Sequence, residues 1–192
     1  SALFTVAQTA HTYDFPEKQD LLESFLRRFP ASGKRPEALY LLSGILRTQA
    51  ETVKAKGLLT GILSDWPDSA IHKHACFRLA QWHLEDASPD AALDVLATLL
   101  EAPRLPPGMT ANALLLRARA DFQTDNPQRA VLNAFRILDL YPDFHDTCVP
   151  AFALMLEHLQ TLDNPRERAA FARRLRESAT NDVLSRFTFP KA

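Results

Sequence analysis

Proline outnumbers glycine thirteen to five in this chain, and the prolines recur with a period. Proline lacks a backbone N–H and its ring clashes with the preceding helical turn, so its positions mark where elements begin and end. Pro30, Pro67, Pro103 and Pro142 each close an apolar stretch, at intervals of 37, 36 and 39 residues. A second series, Pro16, Pro89, Pro127 and Pro165, opens stretches at intervals of 73, 38 and 38, the first about twice the period. Self-similarity at this period is the mark of stacked supersecondary units.

The side chains carry the same period. Leu21-Leu22-x-x-Phe25-Leu26-x-x-Phe29, Leu58-Leu59-x-x-Ile62-Leu63-x-x-Trp66 and Ile137-Leu138-x-x-Tyr141 each lay apolar residues three and four apart and end in an aromatic before proline. That is one face of a helix. The remaining copy, Val95-Leu96-x-x-Leu99-Leu100, is shifted by one residue and ends at Ala102. Ser88-Pro89, Asn126-Pro127 and Asn164-Pro165 read as helix starts, with a capping side chain before proline at the first helical position. Thr52, beside Glu51, is expected to supply the start in the copy without a proline. Pro36 and Pro150 are placed in first turns, and Pro106-Pro107-Gly108 in a connector. Five helix pairs are predicted: 2–13 with 17–29, 37–49 with 53–65, 70–86 with 89–101, 110–124 with 127–140, and 147–162 with 165–178. Asn181 is expected to cap a short last helix near 181–187, with Val183, Leu184 and Phe187 on its apolar side and Pro190 in the tail.

A helix–turn–helix unit of this size, with a small residue in helix A, an alanine twelve positions later in helix B and a closing proline, resembles the tetratricopeptide repeat, whose period is about 34 residues. The small helix-A residues are Ala7, Ser43, Ala80 and Ala118, followed twelve positions on by Gln19, Ala55, Ala92 and Ala130. Small side chains at that crossing let two helix axes approach closely, and Leu3, Leu39, Cys76 and Leu114 face the same seam. The resemblance implies an all-α, right-handed α-solenoid of about five antiparallel helix pairs. Its repeats fall at about 1–30, 31–67, 68–103, 104–142 and 143–180, with 181–192 as a short capping helix and tail. In the fifth repeat the twelve-residue rule pairs Glu157 with Ala169, so a capping variant is expected there. Phe29-Pro30-Ala31-Ser32 before Glu37-Ala38-Leu39-Tyr40, loosely repeated from Trp66-Pro67-Asp68-Ser69, is similar to tetratricopeptide arrays of bacterial cell-envelope proteins. Those are outer-membrane assembly lipoproteins and Tol-Pal coordinators, which are non-enzymatic scaffolds.

Composition removes several other classes. With 22 basic and 23 acidic residues the chain has no electrostatic footprint for nucleic acid, and no apolar run reaches the roughly 18 residues of a membrane span. The sharpest charge feature is the basic run Arg166, Arg168, Arg173, Arg174 and Arg176, which leaves residues 165–192 at +4 and residues 1–164 at −5. An exposed outer helix face is the ordinary reading of that run. His72, Cys76 and His83, with His74 beside them, share a helix face that could present nitrogen and sulfur to a metal, but Cys76 holds the packing position of Leu39 and Leu114. Cys148 lies near a helix N-terminus, where a thiol pKa can fall, with only His145 close in sequence. No catalytic, cofactor-binding or metal residue is assigned, and the chain is read as a non-enzyme.

In tetratricopeptide arrays the A helices line a concave groove, and the resemblance nominates ten residues for it: Tyr40, Gly44, Arg47, His74, Phe77, Gln81, Asn112, Leu115, Arg119 and Gln123. Asn and Gln suit peptide backbone, Arg47 and Arg119 suit carboxylates, and Tyr40 and Phe77 offer flat apolar contact. The alternative is that Phe77 and Leu115 are core and the others merely solvated. The expected partner is a protein or peptide, with no nucleic acid and no cofactor. The apolar start, Leu3, Phe4 and Val6, raises a homodimer through the N-terminal helix. Ser1 opens where a first helix begins, so the chain is expected to belong to a larger protein. Resemblance favours the periplasm or cell envelope, whereas two cysteines placed too far apart to bridge favour a cytoplasmic adaptor.

Overall fold

A computed structural model describes residues 2–187, and among them there are eleven helices and no strand. Pro190 and Lys191 lie outside the described residues. The chain divides into two compact units, residues 1–82 and 83–192. Unit 1 contains α1 (Ala2–Thr12), α2 (Lys18–Arg28), α3 (Arg35–Thr48), α4 (Thr52–Asp65) and most of α5 (His72–Glu85). Unit 2 takes the end of α5 and then α6 (Pro89–Glu101), α7 (Pro107–Gln123), α8 (Pro127–Leu140), α9 (His145–Thr161), α10 (Pro165–Ser178) and α11 (Asn181–Ser185).

Paired helices meet closely: α1 with α2 and α3 with α4 in unit 1, α7 with α8 in unit 2. The small-residue rule accounts for this. Ala7, Ser43, Ala80 and Ala118 are fully buried, as are Ala55, Ala92 and Ala130 twelve positions on. Ser43 keeps its hydroxyl satisfied by donating to the Tyr40 carbonyl at 2.7 Å. Gln19 breaks the rule and is half-buried, held instead by Gln49, whose amide donates to it at 2.7 Å. In α9 and α10 the crossing is gone: Glu157 and Ala169 are both exposed, and Leu175 is the one fully buried residue of α10. Aromatic contacts take over, with His158 and Phe135 each against Phe171 at 5.6 and 5.7 Å between ring centres.

Turns from a B helix to the next A helix repeat one geometry. Phe29, Trp66 and Tyr141 stand before proline at φ of −129°, −135° and −132°, each still donating its N–H to the fourth residue back. The following proline disfavours the α conformation, and the helix stops there. Turns within a pair use a different device. Phe15, Glu51, Ser88 and Asn126 donate N–H to the carbonyl five residues back, and the residue before each, Asp14, Ala50, Ala87 or Asp125, sits at a φ between 52° and 62°. This is a Schellman-type ending, where glycine is the usual choice. Here alanine and aspartate fill it.

That turn overrides two expected caps. Ser88 and Asn126 make no side-chain cap; their N–H groups already close the preceding helix, and their side chains turn back to Asp86 and Thr124. Asn164 alone of the three caps, accepting from the N–H of Arg166 at 3.0 Å. Thr52 is no cap either: Glu51 precedes α4 without a side-chain bond, and the Thr52 hydroxyl accepts from Arg47. The last helix is capped by Thr180, which accepts from the Val183 N–H at 3.4 Å, with Asn181 one residue inside. Pro106 stands just before α7 and Pro107 is its first residue, so the connector becomes part of a helix start; α9 begins at His145, which puts Pro150 inside it.

An L-residue in the left-handed region costs roughly 1–2 kcal/mol, and glycine removes that cost. Ala50→Gly and Ala87→Gly are therefore each expected to stabilise the fold by about 1 kcal/mol, read as a higher urea midpoint. Ala55→Gly, inside α4, serves as the contrast and is expected to lower it.

Candidate functional site

In unit 1, α3 and α5 bring together a cluster of arginine and aromatic side chains. The Arg78 guanidinium lies 3.5 Å from the centre of the Tyr40 ring and donates to the Tyr40 carbonyl at 2.9 Å. Its distance to the Trp82 ring is 5.9 Å, and Arg47 approaches the same ring at 5.5 Å. Stacking over an aromatic face attracts a guanidinium and fixes its plane. Gly44 completes the arrangement, since a Cβ there would stand 3.5 Å from Arg78 Nη1, in ordinary contact. Burial holds the Arg78 pKa below its usual value, partly offset by Tyr40.

Three nominated residues, Tyr40, Gly44 and Arg47, thus meet. Arg47 lies over the Trp82 ring and donates to Thr52 at 3.0 Å. Phe77 is half-buried, while His74 and Gln81 are exposed on α5. Arg78 and Trp82 were not nominated. A signal for them existed, because they lie four apart on one helix face and Arg78 stands 38 residues after Tyr40, one repeat on.

Unit 2 presents Asn112, Arg119 and Gln123 as exposed side chains of α7, and the Asn112 carbonyl oxygen accepts from Thr147 on α9 at 2.8 Å. Leu115 is buried, 7% exposed, within the core that includes Leu138, Phe152 and Met155. It stands beneath that surface, as the packing alternative had it. Nearby, Asp121 is fully buried and its Oδ2 accepts from the Asn133 amide at 3.0 Å, tying α7 to α8. Its Oδ1 has no hydrogen-bond partner and faces Arg129 at 3.8 Å.

The two thiols are inward and protonated. Burial pushes Cys76 up to about 11, with His72 3.9 Å from its sulfur. Cys148 sits at a helix start, yet burial and then Asp143 raise its pKa, and the thiol donates to the Tyr141 carbonyl at 3.3 Å. Desolvation outweighs the helix N-terminus here. His145 is engaged elsewhere, 3.3 Å from Asp182. In the basic run, Arg168 donates to the Leu162 carbonyl at 2.9 Å and Arg174 stacks on Phe135 at 4.7 Å, so part of it serves the packing of α10.

No family's sequence profile matches the chain, and no curated protein matches it. A solved structure, that of a MamA RS-1 ArsTM double mutant, a protein of tetratricopeptide repeats, is similar over 92% of this chain and 92% of that one. The TM-score is 0.68 at 18% sequence identity. The likeness shows the fold: an all-α, tetratricopeptide-like helical solenoid.

His11, at the end of α1, borders the arginine cluster. Its Nδ1 is buried without a hydrogen-bond partner. Burial, then Lys18 and Arg78, lower its pKa from 6.5, with Asp14 opposing. A base whose folded pKa is depressed contributes stability that is complete above the unfolded value and is lost as pH falls through the folded one. Stability is therefore expected to decline as pH drops below about 6.5, and His11→Asn to flatten that decline. Urea midpoints of both proteins across this range check it.

Proposed function

We propose that this protein is a non-enzymatic protein-binding scaffold whose A helices receive a peptide or protein segment. The observation that carries this reading is the A-helix side of unit 1, where Tyr40 and Phe77 are half-buried, Arg78 stacks on Tyr40, and His74 and Gln81 are exposed on α5. Aromatic and arginine side chains held in place by packing are the groups that dominate protein interfaces, since they bring large contact area at low ordering cost. In unit 2, Asn112, Arg119 and Gln123 offer the same chemistry in more open form. The tetratricopeptide-like fold is consistent with this use, and folds alone do not set function. By the likeness of its Phe-Pro and Trp-Pro turns to cell-envelope arrays, we place the protein in the bacterial envelope; a cytoplasmic adaptor is the alternative.

A second reading, self-association, has an observation of its own. Val6, Tyr13 and Phe15 are 53%, 70% and 51% exposed near the start of unit 1, beside a shallow hollow lined by Thr9 and Leu21. Phe4, expected at the surface, is instead core and packs on Phe25 at 5.2 Å between ring centres, so the apolar end is smaller than Leu3, Phe4 and Val6 together would make it.

Selection of a displayed peptide library on the immobilised protein tests the main reading. Peptides are expected to be enriched, and His74→Glu and Arg119→Glu to weaken their binding about tenfold or more, while Val53→Glu on α4 leaves it unchanged. Enrichment that ignores both A-helix substitutions contradicts the proposal. Light scattering decides the second reading: a dimer lost in Val6→Glu supports it, and a monomer at every concentration removes it.

A further inference from the structure

We propose that the outer face of α8 and α10 in unit 2 docks the protein on an anionic lipid surface. Arg136, Arg166, Arg173 and Arg174 meet lipid phosphates there, and Leu132 and Leu140 enter the headgroup layer. Only B helices take part, so this proposal stands or falls separately from the peptide-binding reading above.

The first observation is how charge is placed on α10. That helix carries five arginines against Glu167 and Glu177, and Leu175 is its one fully buried residue. Arg168 holds the Leu162 carbonyl, and Arg176 is engaged within the fold. Arg166 and Arg173 lie seven apart on one stripe of the helix, both exposed, and among the described residues neither guanidinium meets a carboxylate. The side chains between them on that stripe are the small, exposed Ala169 and Ala170. A phosphate therefore reaches either fork without a bulky neighbour in the way, and the planar guanidinium suits it.

The second is that the charge continues onto α8. Arg174 is exposed and lies 4.7 Å from the centre of the Phe135 ring, and Phe135 meets Phe171 at 5.7 Å, so the two helices adjoin. Arg136, the next residue of α8, is exposed, with no carboxylate on it among the described residues. Setting aside Arg176 and also Arg129, which faces Asp121, the two helices still hold five arginines against Asp139, Glu167 and Glu177. A ring contact or a bond to a carbonyl leaves a guanidinium's charge in place, so the face is electropositive on a chain whose net charge is −1.

The third is the apolar part of the same face. Leu132 and Leu140 are 56% and 64% exposed, with Arg136 between them on one stripe of α8. Eight residues of helix set them about 12 Å apart. Leucine is scarce among the residues that dominate protein interfaces, which counts against an acidic protein as the occupant. Exposed leucine flanked by arginine suits a lipid interface, where the aliphatic group enters the acyl boundary and the guanidinium stays with the phosphates. Nucleic acid fits less well: the rings of α8 and α10 are Phe135, buried, and Phe171, half-buried, so no open aromatic face is offered to a base.

The test is flotation of the full chain with two kinds of vesicle, one of phosphatidylcholine alone and one with about a third phosphatidylglycerol. Anisotropy with a labelled DNA duplex and a labelled glutamate-rich peptide runs beside it at the same salt. The anionic vesicles are expected to bind the protein at least about tenfold more tightly than the neutral ones and to lose it as salt rises. Arg166→Gln with Arg173→Gln is expected to weaken that binding about tenfold or more. The matching lysine pair keeps most of it, because the charge is kept. Leu132→Ser with Leu140→Ser is expected to weaken it about fivefold. Arg27→Gln with Arg28→Gln, the same charge loss on exposed α2, is expected to leave it within about twofold. All of these side chains are exposed, and circular dichroism confirms that each variant is folded. Equal binding to both vesicles, tighter binding of the duplex or the peptide, or an equal loss in the α2 variant and the Arg166 and Arg173 variant overturns the proposal.

Discussion

Close approach of paired helices at small side chains is the constraint on which the rest of this structure depends. Ala7, Ser43, Ala80 and Ala118 on A helices are fully buried, and so are Ala55, Ala92 and Ala130 on B helices. A leucine at any of these points would hold the axes apart, and overpacking of that kind costs about 1–3 kcal/mol per site. Closing the pair fixes what faces outward. With Ser43 and Ala80 turned into their seams, Tyr40, Gly44 and Arg47 fall on the adjoining flank of α3, and Arg78 and Trp82 reach that flank from α5. Where the small crossing disappears, at Glu157 and Ala169, the last long helix keeps one fully buried side chain and leans on aromatic contacts.

The helix pairs were legible because proline and aromatic residues act locally. Proline disfavours the helical conformation in the residue before it, and Phe29, Trp66 and Tyr141 stop their helices there. The turns within pairs were not legible in the same way. A left-handed residue is usually announced by glycine, and here it is Asp14, Ala50, Ala87 and Asp125. Their spacing follows the repeat, but nothing in an alanine says that its φ is positive. The caps at Ser88 and Asn126 were misread for a related reason. Residue type nominated them, whereas the tight turn had already committed their N–H groups and side chains to the preceding helix.

The candidate surface was legible in part. Repeat position found Tyr40, Gly44 and Arg47, which the fold brings together, and His74, Gln81, Asn112, Arg119 and Gln123 as outward polar groups. It placed Leu115 one step too far out, because that position belongs to a core that α8 and α9 complete. It passed over Arg78, a half-buried charge whose neighbours are the Tyr40 and Trp82 rings and the Tyr40 carbonyl. That is a property of two helices together, and pattern within one helix cannot show it. The cysteines make the same point, since the helix start at Cys148 suggested a lowered pKa and burial raised it.

The most direct measurement of the central claim is hydroxyl-radical footprinting of the protein with and without a bound peptide. Tyr40 and Phe77 on the A helices should lose reactivity on binding, while Val53, 86% exposed on α4, and Leu132, 56% exposed on α8, should keep theirs. Protection of Val53 or Leu132 with Tyr40 and Phe77 unchanged would contradict the account, because the partner would then be held by B helices.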